Sequence, residues 1–99
     1  MTKTLYRYYF DPGVPAEEIE TSLLMAVLAA ESLHGESQTR LDAGHAFDAE
    51  KRTCVIDGQT GVGRDLNRLF VGFLRREFGE DAFRVERVAP EVPALAGAS

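Results

Sequence analysis

The sequence predicts a single α+β domain, and three observations carry that expectation. Short aromatic or alternating runs read as strands, two longer stretches repeat their apolar residues at helical spacing, and the segments follow one another in the order βαββαβ. A chain of 99 residues is about one domain long, so a second core would be hard to build, while 44% apolar residues suffice for one.

Thr4 to Phe10 (TLYRYYF) is rich in Tyr and Phe and stops at the turn cluster Asp11-Pro12-Gly13, which predicts the first strand. Pro15 opens a helix with Glu17, Glu18 and Glu20 near its positive end, and His34-Gly35 closes it. Its core arc is expected at Ile19, Leu23, Ala26, Val27, Ala30 and Leu33. Two loosely alternating runs, RLDAGHAFD (40–48) and KRTCVID (51–57), predict a hairpin that turns at Ala49-Glu50 or through a slightly longer loop, without the Asn-Gly or Asp-Gly signature that would fix its register. A second helix is predicted from Val62 to Phe78, with Gly79 ending it. Its arc of Leu66, Leu69, Phe70 and Phe73 puts Phe73 near the centre of the core. Ala82 to Val88 (AFRVERV) alternates as the last strand.

This order, with one central hairpin, is that of a ferredoxin-like plait, in which a four-stranded antiparallel sheet carries both helices on one face. The domain is expected over residues 1–89, followed by a flexible C-terminal tail, 90–99. Such a plait hosts many unrelated functions, so function has to be argued from sites.

With 16 acidic and 11 basic side chains the formal net charge is −5, which repels phosphate backbones; nucleic-acid binding would need a local basic patch. An RNA-recognition plait also needs aromatic rings on both central strands, and the run RTCVID has none. The single cysteine, Cys54, has no partner for an internal disulfide, and Met1 does not open a charged, then apolar, cleavable leader, so a cytoplasmic location is expected. Leu23 to Ala30, the longest apolar stretch, is too short to span a bilayer.

Four groups of residues could carry chemistry. The loop from Asp57 to Arg64 (DGQTGVGR) joins a strand to a helix, where the amides of Gly58, Gly61 and Gly63 and the charge of Arg64 could hold an anion. It lacks the Gly-Lys-Ser/Thr of a P-loop and the third glycine of a dinucleotide fingerprint, and a plain strand-to-helix turn is the favoured explanation. On the second helix Arg64, Arg68 and Arg75 lie opposite the core arc, flanked by Arg76, as a basic stripe or an ordinary solvated face. The first helix is acidic, and Leu24, Met25 and Leu28 add apolar surface beyond its core arc that a partner could bury. A hairpin pairing Phe47 with Arg52 would put His45 opposite Cys54, as half of a nucleophilic or metal site or as a buried thiol beside a hydrogen-bonded histidine. Asp11 and Asp57 already have a structural role as turn residues.

The reading that follows is a non-catalytic interaction or regulatory domain that self-associates, as a dimer, or binds a larger protein. Its interface would use Leu24, Met25, Leu28, Arg68 and Arg75, and no catalytic set, metal site or cofactor is expected. The alternative is an anion- or phosphate-binding domain, or a small phosphoryl-directed enzyme, using Gly58, Gly61, Gly63 and Arg64 with Asp11. A third reading is a nucleic-acid accessory protein acting through the arginines of the second helix.

Overall fold

The computed structural model describes residues 4–88, so the expected tail at 90–99 lies outside the described residues. The elements are β1 (Leu5–Phe10), α1 (Ala16–His34), α2 (Glu36–Asp42), β2 (His45–Asp48), β3 (Thr53–Asp57), α3 (Gly61–Phe78), a 3-10 turn (Glu80–Ala82) and β4 (Phe83–Val88). The described residues form an α+β fold with three helices and one four-stranded sheet in the order β2-β3-β1-β4, every neighbouring pair antiparallel.

The two long helices begin and end where the sequence indicates. Pro15 supplies the carbonyl that receives the Glu18 and Ile19 amides (3.1 and 3.2 Å). Gly35 and Gly79 close α1 and α3 with φ of 88° and 87°, a conformation that glycine adopts without a Cβ penalty. Between them the structure departs from expectation, because residues 36–42 form a helix that takes in Arg40–Asp42, where the sequence reading began a strand. The short helix is held by side chains one turn apart, with Arg40 on Glu36 at 2.7 Å, and by the Thr39 hydroxyl donating to the Gly35 carbonyl at 2.8 Å. The strand that follows therefore has only four residues.

The hairpin is paired, but in a different register. Phe47 faces Cys54 and His45 faces Ile56, two residues away from the expected alignment. The turn is longer than two residues: Asp48 accepts the amides of Glu50 and Lys51 (3.0 and 3.1 Å), and Arg52 takes a left-handed φ of 53°. The Arg52 guanidinium donates to the carbonyls of Pro12 (2.9 Å) and Val14, which ties the turn to the segment after β1. A slip of two keeps every side chain on its intended face, so the core survives the error.

Alternation sends Tyr6, Tyr8 and Phe10 to one face together with Cys54, Ile56, Phe83 and Val85. The buried residues of α1 (Ile19, Leu23, Ala26) and of α3 (Leu66, Phe70, Leu74) join Tyr8, Phe10, Cys54 and Ile56 in one cluster, so both long helices lie on that face. At its centre the Tyr8 and Phe70 rings meet at 4.9 Å and 58°, and the Tyr8 hydroxyl donates to the Asn67 side-chain oxygen.

Two core assignments need correction. Phe73 is half-buried at the margin of the cluster, whereas Phe70 and Leu74 are fully enclosed. Leu33 is 66% exposed. A 19-residue helix is about 28 Å long and a six-residue strand about 20 Å, so the last turn of α1 overhangs the sheet. Phe70→Ala should therefore cost about 3–5 kcal/mol in denaturant melts and Phe73→Ala distinctly less; the reverse ranking would misplace the core.

Candidate functional site

The glycine loop is built by its own internal bonds. Thr60 caps α3 by accepting the Gly63 amide at 2.9 Å, and its hydroxyl donates to the Asp42 carbonyl at 2.8 Å, which docks α2 against the start of α3. The Gly58 amide donates to the Thr4 carbonyl (2.8 Å) and the Gln59 amide to the Asp57 side chain (2.9 Å). A Cβ at Gly63 would collide with the Asp57 carbonyl, and one at Gly58 with the Tyr6 ring, so close approach of the chain to itself explains both glycines.

Arg64 donates to the carbonyls of Gly58 and Gln59 at 3.1 and 3.2 Å. The amides of Asp57, Gly58, Gln59, Gly63 and Arg64 and the Arg64 guanidinium are thus engaged within the loop or with its neighbours. Asp11 does not join this group. Leu5 pairs with Asp57 at one end of β1, while Asp11 follows Phe10 at the other, about 20 Å away along a six-residue strand.

His45 and Cys54 also stand apart in register. Cys54 is fully buried, and burial pushes its thiol from an ordinary 9.0 up to about 12. Such a thiol is a small hydrophobe and not a nucleophile at neutral pH. His45 lies exposed on the short edge strand, and the desolvation it meets from neighbouring packing lowers its pKa.

The remaining predicted residues gather on the outer side of the helical layer. Leu24, Met25 and Leu28 are 59%, 48% and 53% exposed. Helices α1 and α3 run antiparallel, since His34 of α1 meets Asp65 of α3 at 2.8 Å, while Glu18, Ser22 and Met25 share a hollow with Phe73 and Arg76 at the opposite end. Met25 therefore leans towards α3. Leu24 lines a groove on the other flank with Glu20, Val27 and Phe47. Arg68 and Arg75 are exposed and make long ion pairs within the chain, to Asp65 at 3.6 Å and Glu80 at 3.7 Å, which contribute little to stability.

Two features escaped the sequence reading. Gly72 lies mid-helix on α3, on the side away from Leu66, Phe70 and Leu74, and a Cβ there would touch nothing within 4 Å. Helix propensity alone signals it, because an interior glycine costs about 1 kcal/mol relative to alanine. The second is a hollow on the uncovered face of the sheet beside Arg7, which only the strand pairing reveals.

No protein-family model, curated protein or solved structure matches the chain.

Above pH 9 the unfolded chain releases the Cys54 proton while the folded chain keeps it up to about 12, so stability is intact below about 9 and falls as the pH rises through this window. Burial raises Tyr8 in the same direction. Denaturant midpoints should drop above about pH 9, and a thiol reagent at pH 8 should label native Cys54 only as fast as the protein opens. Rapid labelling of the folded protein would contradict the burial.

Proposed function

We propose that this chain is a non-catalytic interaction domain, a ferredoxin-like plait with an inserted short helix, that pairs with a second copy through its helical layer. The strand order and the shared helical face support the plait reading. The observation that carries the functional reading is the trio of half-exposed residues on α1, with Leu24 and Leu28 one turn apart and Met25 beside them. Burying such a cluster stabilises a complex by about 25 cal/mol for each Å² of apolar surface removed from water.

A second copy fits this face for geometric reasons. In a symmetric pair whose two-fold axis runs between and along α1 and α3, α1 of one copy lies over α3 of the other. Each residue keeps its level along the axis. His34 is level with Asp65, and Met25 with Phe73, so Gly72 lies between the levels of Leu24 and Leu28 from the other copy. The missing side chain at Gly72 leaves room for them. Glu31 comes level with Arg68, and Glu20 falls within a turn of Arg75, so the acidic helix meets the basic one twice.

Light scattering over a concentration series tests the pairing. Leu24→Glu with Leu28→Glu should give a folded monomer. Gly72→Ala should stabilise the isolated fold by about 1 kcal/mol while weakening association. A wild-type chain that stays monomeric at high concentration contradicts self-association, and pairing unaffected by the α1 changes puts the interface elsewhere.

A further inference from the structure

Two arginines among the described residues are half-buried, Arg7 and Arg52. Arg52 spends its guanidinium on backbone carbonyls. Arg7 has no hydrogen bond or ion pair to any described residue. It stands on central β1, on the face away from the helices, between Val55 of β3 and Glu86 of β4. The facing carboxylate is already engaged, because Glu86 accepts from Arg84 at 3.0 Å, and Arg84 in turn lies 4.4 Å over the Tyr9 ring. Partial removal of a cation from water without a partner is unfavourable, so this position needs a reason outside the core.

The reason suggested by the surroundings is a ligand. Beside Arg7 the sheet is hollowed over about 870 Å³, a volume within the range of small-molecule sites. The small side chains of Ala46, Thr53 and Val55 line the hollow together with Tyr9 and the hairpin turn at Ala49–Lys51. That turn is fixed in place by the Asp48 bonds and the Arg52 anchor, so the hollow is formed before anything binds. Arg7 and Lys51 supply positive charge and Thr53 a hydroxyl. Asp48 and Glu50 line the turn side and disfavour an anion there, which directs negative charge to the Arg7 end.

We propose that this uncovered sheet face binds a small organic anion, a carboxylate or phosphate monoester with a flat apolar body. The anion accepts hydrogen bonds from the Arg7 guanidinium, and the body lies against Tyr9 over Ala46 and Val55. The site is on the opposite side of the sheet from the helical layer, so it does not depend on the pairing described above.

Benzoate and phenyl phosphate probe the two anion types, with acetate as an anion lacking the body and benzyl alcohol as the body lacking the charge. Titrations followed by amide resonances of the full chain should show benzoate or phenyl phosphate perturbing Arg7, Tyr9 and Val55 first. Acetate and benzyl alcohol should bind at least about tenfold more weakly, as expected for loss of one contributing group. Arg7→Gln, folded by circular dichroism, should lose about tenfold in affinity, while Leu24→Glu with Leu28→Glu should bind like the wild type. Which of the two probes binds more tightly assigns the anion. Binding of neither probe above the acetate level, affinity unchanged in Arg7→Gln, or perturbation centred on the Gly58–Arg64 loop would overturn the proposal.

Discussion

The packing of Tyr8 against α3 sets how the helical layer sits on the sheet. Tyr8 stands on a central strand, is fully buried, and is surrounded by Phe10, Phe70 and Phe83. Its hydroxyl reaches Asn67 on the same helix that supplies Phe70. Apolar contact and one directed hydrogen bond therefore fix both the rotation and the height of α3 over the sheet. With α3 fixed, its first turn must pass close to the end of β3, and Gly63 is the residue that lets it do so.

Because strand side chains alternate, committing Tyr8 to the helices commits Arg7 and Tyr9 to the other face. The same rule sends Cys54 into the core and Val55 out of it, and it turns Ala46 towards the uncovered side. On the helices the equivalent rule operates at 3.6 residues per turn: burying Phe70 and Leu74 turns Arg68, Gly72 and Arg75 outwards, and burying Leu23 and Ala26 exposes Leu24 and Leu28. The outer helical surface and the uncovered sheet face are thus the necessary complements of one core, separated by the thickness of the sheet and helices. A change at one surface need not disturb the other.

Much of this was legible in the sequence where a strong period or a special backbone residue was present. The aromatic run at Thr4 to Phe10, the amphipathic stretch from Val62, and the helix-ending glycines 35 and 79 each have a local cause that needs no tertiary partner. Residues 36–42 had no such cause. Their only large apolar residue, Leu41, is exposed, and the helix is held by side-chain pairs and by docking onto Thr60. The hairpin register depended on Asp48 and Arg52 building a longer turn, which pattern alone does not specify. The exposed α1 leucines could be read from the helical period. The isolation of Arg7 could not, because it follows from Glu86 taking Arg84, a choice between two nearby cations that only the assembled sheet decides.

The proposed pairing makes the helical layer one half of a symmetric contact. Isotope-filtered NMR on an equimolar mixture of labelled and unlabelled chains addresses it most directly, since it detects only contacts between copies. Pairing through this layer should give intermolecular signals from the methyl groups of Leu24 and Leu28 to the α-protons of Gly72. Intermolecular signals confined to the uncovered sheet face, or none at concentrations well above those used for scattering, would contradict it.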